Sequence, residues 1–492
     1  MKHSQFFSFL VLTILGLTAF ALPLVAAPTS APLSGTLGAS PTTGTLGGGT
    51  TSGTISSGTG SSTGSGIANA SVAKAKVLGR KRWFPSARSP GLYEIRLPNT
   101  PTGFIERFLL QIPTNPVGPE TPLLVAFHRF GNSMYDIAVN TQLCAEAEAR
   151  GWILLAPISL TDEHLNSVPS QMNTEQLLDL ITAVYEIDDD RIYGIGHSMG
   201  GGIALSYAAR HLDPEKPMFA SLINHTGVMS QAHSYDNDCF SPSGCSLQDD
   251  WEMWYGGSPT SNEFDFQRTS LIEIPYVTGF PSVPSVNQQT DMARNLTHIP
   301  MQSWLATGDP LQELVNQNYA FHQQMLIRGG DHTLVTKDLD VHSWDTLDYS
   351  AVLDFMSLQT LTLPTSAKTL ADRNGTYFHF GVTQTVDRAF SPFTWNVDSA
   401  MNSLSLTETA NLSIIDVDTN GAGLSAASGL TVNIDTADGN APLIRLNGVQ
   451  SQPLTAKLDG VAQRAGWTYD SSYGSIEIQN PDGNAHQWTF TF

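Results

Sequence analysis

Ser198 lies at the centre of Gly196-His197-Ser198-Met199-Gly200. The β-branched and aromatic run Arg191-Ile-Tyr-Gly-Ile precedes it, and the apolar stretch Gly201-Gly-Ile-Ala-Leu-Ser-Tyr-Ala-Ala-Arg210 follows. A serine hydroxyl is a poor nucleophile at neutral pH, so it needs an adjacent base and must stand clear of the backbone. A sharp turn from strand to helix meets the second need by holding the serine in strained φ/ψ, which is tolerable only if the residues two before and two after carry no bulk. Gly196 and Gly200 occupy those places. The helix that opens behind the turn points its N-terminal amides at any oxyanion formed beside Ser198. The bland alternative is a glycine-rich turn that happens to hold a serine, and the rest of the catalytic set decides between the two.

That set is an acid and then a histidine, each in a loop after its own strand. Ile299-Pro-Met-Gln-Ser-Trp-Leu-Ala-Thr-Gly308 reads as a buried strand, and Asp309 follows it directly. His332-Thr-Leu-Val-Thr-Lys337 reads as the last strand, and His342 follows in the loop before a closing helix. An imidazole there can take the proton of Ser198 while Asp309 orients its other nitrogen. His332 competes, but it opens a strand and so belongs at the far end of the sheet. Glu313 competes with Asp309 from one helical turn too far along. As plain structure, Asp309 before Pro310 is a helix cap and His342 a surface-loop histidine.

The elements that must position these groups form a regular pattern. Gly91–Leu97 and Phe104–Ile112 read as paired strands around an Asn-Thr-Pro-Thr-Gly turn, and Pro122–Phe127 as a buried strand. A helix over 134–150, the strand 152–156, a helix over 174–185, the serine strand with its helix, and the strand 219–223 follow. Short apolar strands alternating with helices specify a mostly parallel sheet covered on both faces, with ligands at the carboxyl ends of the strands. About 75 residues separate Ile223 from Ile299, more than a connection needs, so an insertion over about 227–298 is expected. Its aromatics, Trp251, Trp254, Tyr255, Phe264, Phe266, Tyr276 and Phe280, serve mainly as its own small core. Trp344, close to His342, is placed at the edge of the site.

With 492 residues, the chain is long enough for two folded units and tails. Its net charge of −21 with only 14% charged residues describes an acidic, lysine-poor surface, unsuited to nucleic acid or anionic membranes. Residues 1–27 have the pattern of a secretory leader ending in Val25-Ala-Ala27, with an uncleaved membrane anchor as the alternative, so an extracellular location is expected. Residues 28–72, almost wholly Gly, Ser, Thr, Pro and Ala, form a tether with nothing to bury. Cys239 and Cys245 bracket a polar loop suited to a disulfide outside the cytoplasm, and Cys144 falls in an apolar stretch as an inert thiol.

After Pro364 the pattern changes to short strand-like runs separated by Asn, Asp and Gly turns. Residues 363–492 therefore read as an all-β sandwich of immunoglobulin-like kind, following an α/β unit over 73–362. Asp416-Val-Asp-Thr-Asn-Gly421 imitates the front of a calcium loop, but Ala427 stands where a bidentate carboxylate is required, so it reads as a turn. Trp395, Trp467, Tyr469, Tyr473 and Trp488 make either a flat polymer-binding face or a sandwich core.

Over about residues 90–360 the chain resembles the α/β-hydrolase superfamily. Arg107-Phe-Leu-Leu-Gln-Ile-Pro113, Leu124-Val-Ala-Phe-His128 with its loop, Asp188–Gly201 and His342-Ser-Trp344 are most similar to secreted esterases related to polyhydroxyalkanoate depolymerases and feruloyl esterases. The resemblance implies an α/β-hydrolase fold and a serine ester hydrolase working through Ser198, His342 and Asp309 without metal or organic cofactor. Its substrate would be a small ester or a polymer. It also implies an oxyanion hole made by the N–H of Met199 and one from His128-Arg-Phe-Gly-Asn132, here assigned to Phe130. The family's histidine is usually followed by glycine; Arg129 stands there instead, either contacting an acidic group of the substrate or paired with a carboxylate. Peptidase or thioesterase chemistry on the same fold, and a catalytically dead binding protein, are the alternatives.

Overall fold

The computed structural model describes residues 77–81, 89–98, 100–118, 120–238, 247–274, 290–426 and 429–492. The leader, the tether and the Cys239–Cys245 loop lie outside them, as do Tyr276 and Phe280. Among the described residues no helix is long and apolar enough to cross a membrane.

In chain order the first part runs β1 (Val77–Lys81), β2 (Gly91–Leu97), β3 (Glu106–Ile112), β4 (Thr121–Phe127), α1 (Tyr135–Asn140), α2 (Leu143–Arg150), β5 (Ile153–Pro157), α3 (Val168–Val184) and β6 (Ile187–His197). It continues through α4 (Met199–Arg210), β7 (Ser221–His225), α5 (Gln231–Asn237), α6 (Gln248–Tyr255), α7 (Glu263–Thr269), β8 (Met301–Ala306), α8 (Gln312–Ile327), β9 (His332–Lys337) and α9 (Tyr349–Ser357). The nine strands form one sheet in the order β1-β2-β3-β5-β4-β6-β7-β8-β9. β3 is antiparallel to both neighbours, and every other adjacent pair is parallel.

A parallel sheet must be covered on both faces, and alternation along the strands supplies the two cores. Leu123, Val125 and Phe127 of β4 enter one cluster with α3 and α4, whereas Leu124 and Ala126 enter the other with α2 and α9. The helix expected over 134–150 is divided at Thr141, which is extended at φ −131° and ψ 165°. Its hydroxyl accepts the Leu143 N–H at 3.1 Å, opening a new helix where the old one ends. Helix α3 starts before the expected residue 174, because Pro169 suits a first turn.

The second part is built from β10 (Ser366–Ala371), β11 (Gly375–Tyr377), β12 (Phe380–Gln384), β13 (Ser391–Asp398), β14 (Ser403–Thr409), β15 (Leu412–Asp418) and β16 (Leu430–Thr436). β17 (Leu443–Asn447), β18 (Thr455–Leu458), β19 (Val461–Ala462), β20 (Trp467–Asp470), β21 (Ser475–Gln479) and β22 (His486–Thr491) complete it. One sheet has the order β10-β13-β14-β16-β22-β18-β19 and the other β11-β12-β15-β17-β21-β20, and a shared apolar core lies between them. The immunoglobulin-like expectation is corrected here, because β14 pairs with β16 and β15 with β17 in parallel. Trp395 and Trp488 are core residues at 1% exposure, so they belong to no flat binding face, while Tyr473 is exposed. The reading of 416–421 as a turn is corrected in its first half: Asp416 to Asp418 lie in β15, where Asp416 pairs with Arg445 at 2.8 Å on the neighbouring strand, and the turn starts at Thr419.

The sandwich is joined to the helix that follows Ser198. Arg210, the last residue of α4, donates through Nε to Asp372 Oδ2 at 2.8 Å, and Arg268 of α7 does the same at 2.8 Å. The side chains of Arg210 and Asp372 are fully buried. Burial pushes the Arg210 guanidinium down to about 10. Burial also acts to raise the Asp372 carboxyl, but the two arginines outweigh it and hold that group well below the carboxylate range. Asn295 bonds the carbonyls of both Ala209 and Leu370, and Phe378 N–H reaches the Leu212 carbonyl at 2.6 Å.

Removing one member of a buried ionic group strands its partners at a cost of about 3–5 kcal/mol. Asp372→Ala therefore lowers stability by that order, as read in urea unfolding, and residues 77–362 alone give no cooperative transition. A truncated chain that unfolds cooperatively at the full-length midpoint contradicts this.

Candidate active site

Ser198 sits between the last residue of β6 and the first of α4 at φ 58° and ψ −123°, a conformation few L-residues adopt. A methyl group at position 196 would strike the Gly200 carbonyl, and one at 200 would strike the Phe127 carbonyl of β4. The turn is thus closed by backbone packed on backbone, with Ser198 N–H bonded to the His225 carbonyl at 2.8 Å. Met199 supplies the first amide of α4 beside Ser198, and its sulfur accepts the Leu165 N–H at 3.3 Å.

Asp309, 1% exposed after β8, bonds His342 Nδ1 through Oδ2 at 2.7 Å. Its Oδ1 accepts the Leu311 N–H at 2.8 Å, so both carboxylate oxygens are fixed. The other nitrogen of His342, Nε2, is buried and makes no hydrogen bond among the described residues. The His342 ring packs 4.5 Å, centroid to centroid, from His197, the residue before Ser198. The structure thus joins Asp309 to His342 and sets the imidazole beside the serine turn, with no hydrogen bond formed between Nε2 and the Ser198 hydroxyl. Such bonds tighten on substrate binding in many hydrolases. His332 is engaged elsewhere, with Nε2 on Ser303 Oγ at 2.9 Å, and burial pushes it down to about 3. Glu313 bonds Gln317 at 2.7 Å, and burial pushes it up to about 7.

In the loop 128–132 the backbone amides are allotted one by one. Arg129 N–H faces Asp136 Oδ2 at 3.5 Å, Gly131 N–H bonds the Asp162 carbonyl at 2.9 Å, and Asn132 N–H bonds the Arg129 carbonyl at 3.1 Å. Among the described residues, the Phe130 N–H has no such bond.

One expected substrate contact is corrected and one alternative is met. Arg129 takes the carboxylate-paired alternative, held by buried Asp136 through Nε at 3.1 Å and Nη2 at 2.8 Å in a two-pronged pair. Trp344 is 2% exposed rather than at the cleft edge, and its Nε1–H also bonds Asp136 Oδ2, at 2.8 Å. Its ring lies 5.2 Å from His197 and 6.0 Å from His225. His197 and His225 stack on each other at 4.0 Å, and burial holds both well below the usual imidazole range, so they are neutral packing groups. Only the middle position of Gly-x-Ser marks His197 in the sequence; nothing local marks His225.

The insertion packs on the same side. Trp251, Tyr255 and Phe266 form a small core with Leu165, and Phe130 and Trp254 lean on it. Phe264 packs on Phe390 of the sandwich at 5.1 Å. Cys144 is pushed up to about 12 by burial.

No family model matches the chain, and no curated protein matches it in sequence. In structure it is similar to serine hydrolases. An S-formylglutathione hydrolase from Agrobacterium tumefaciens is 13% identical, with 56% of this chain and 97% of the other covered at a TM-score of 0.41. A ferulic acid esterase is 16% identical, with 54% and 96% covered at 0.38. An acylaminoacyl peptidase from Pyrococcus horikoshii is 15% identical, with 56% and 43% covered at 0.40. Likenesses of this size neither add to nor subtract from what the strand order and side chains establish.

Glu106 at the start of β3 holds the segment 158–160, whose Ile158 carbonyl lies 3.2 Å from His128 Nε2. It accepts the N–H of Ile158 at 3.1 Å, Ser159 at 2.8 Å and Leu160 at 2.9 Å, together with the Asn173 amide at 3.2 Å. Ser159 and Leu160 have φ of 53° and 105°, so a strained segment is fastened by one carboxylate. Burial pushes Glu106 up to about 7 against those four donors. Between the ordinary carboxyl range and about 7, the folded chain therefore holds the proton longer than the unfolded chain, and this group's contribution to stability falls as pH rises through that window. Glu106→Gln flattens that slope in a series of Tm measurements against pH; curves parallel to wild type contradict it.

Proposed function

We propose that the chain is an exported serine ester hydrolase of the α/β-hydrolase superfamily. The observation that carries this reading is the 2.7 Å bond from Asp309 to His342, with the imidazole beside a serine held at φ 58° at the carboxyl edge of the sheet. Ser198 Oγ attacks the ester carbonyl while its proton passes to His342 Nε2. The oxyanion is met by the N–H of Met199 and Phe130. Collapse breaks the ester C–O bond, and the alcohol leaves with the proton from His342. Water then repeats the sequence on the acyl-serine and frees the acid. Asp309 stabilises the imidazolium at each stage. The leader-like residues 1–27 support export, and the resemblance of Leu124–His128 and Asp188–Gly201 to secreted esterases supports polyester or aryl and polysaccharide-linked esters as the substrate class.

An alkyl fluorophosphonate labels Ser198 by forming an Oγ–P bond and expelling fluoride. On p-nitrophenyl esters Ser198→Ala loses about 10³-fold or more in kcat, the remainder coming from binding and the oxyanion donors. Faster turnover of anilides or thioesters than of matched esters shifts the assignment to a peptidase or thioesterase, and absence of an adduct on folded protein leaves a binding protein.

A further inference from the structure

The loop carrying Phe130 and the loop carrying His342 come from opposite ends of the α/β part, and one buried side chain touches both. Asp136 is fully buried and stands in the first turn of α1. Its Oδ1 accepts Arg129 Nη2 at 2.8 Å and Asn140 Nδ2 at 2.7 Å; its Oδ2 accepts Arg129 Nε at 3.1 Å and Trp344 Nε1 at 2.8 Å. Trp344 is two residues beyond His342 and packs on the stacked rings of His197 and His225, of which His197 lies 4.5 Å from the His342 ring. Arg129 immediately precedes Phe130. We propose that Asp136 is a positioning residue that sets the separation between the oxyanion donor at Phe130 and the imidazole of His342.

The need for such a brace follows from the loops themselves. Nothing covalent or helical spans from residue 130 to residue 342. Both catalytic groups must nonetheless sit within a few tenths of an ångström of their working places. A carboxylate with four side-chain N–H donors fixed around it is a stiff joint, because each bond restricts the others and the charge is compensated by the Arg129 fork. A lone packing contact between Trp344 and the sheet would tolerate sliding; the Nε1–H bond does not. The departure at position 129 from the family's glycine acquires a role by the same geometry, since a glycine there has no guanidinium to anchor.

This inference rests on the esterase reading, and its test separates the two. Trp344→Phe keeps an aromatic ring in the packed site and removes the N–H; Asp136→Asn keeps the shape and one acceptor. Fluorophosphonate titration first counts competent Ser198 sites in wild type and in each variant, and kcat and KM for a p-nitrophenyl ester are then expressed per titrated site. The expected result is a fall of about tenfold in kcat per site for Trp344→Phe with KM within about twofold. Asp136→Asn falls at least as far, and the double variant falls no further than the worse single one, since both cut one joint. A purely structural role reduces the number of titrated sites and leaves kcat per site within twofold of wild type, which overturns the proposal. Should Asp136→Asn not fold, Trp344→Phe alone decides. Wild-type protein that takes up no fluorophosphonate overturns the esterase reading and this inference with it.

Discussion

The close approach of Gly200 to the Phe127 carbonyl of β4 is the constraint from which the rest of the site takes its place. With no side chain at 196 or 200, α4 starts directly on the sheet, and that contact holds Ser198 in its left-handed conformation. The neighbouring strands then fix where the other groups can reach. β7 delivers the His225 carbonyl that receives the Ser198 N–H, β8 ends at the acid, and β9 ends at the loop of the histidine. All of these lie on the same side of β4 in the strand order, whereas the loop 128–132 leaves β4 itself.

Much of this was legible in the residues, for a local reason. A nucleophile turn is written in five consecutive positions, and an acid or histidine that ends a strand can be located by counting strands. The structure accordingly brings Asp309 and His342 together and leaves His332 at the opposite end of β9, bonded to Ser303. Contacts between distant positions left no such trace. Asp136 and Trp344 are separated by 208 residues, and Glu106 and Ile158 by 52. Neither pair has a spacing that a pattern could reveal. Trp344 was misplaced for a related reason: adjacency to a site residue along the chain says nothing about whether a side chain points to the cleft or away from it.

The sandwich shows the same limit at larger scale. Alternating apolar residues identified its strands, but their order within each sheet depends on which loop crosses which edge. The two parallel pairs, β14 with β16 and β15 with β17, came from crossings that alternation cannot encode. Its aromatics divided by the face they happened to occupy, two tryptophans going inward and Tyr473 outward.

The buried joint at Arg210 bears on the order in which the chain is made. The α/β part leaves the ribosome first, and a part that emerges first generally folds first. Here the guanidinium at the end of α4 has to wait some 160 residues for the carboxylate of Asp372, and Leu370 has yet to fill its place in the sheet core. A nascent chain halted before residue 372 thus holds Ser198, Asp309 and His342 but lacks the counter-ion for the helix that starts at Met199. The charge at the end of α4 is met only late in synthesis, when the C-terminal sheets close over it.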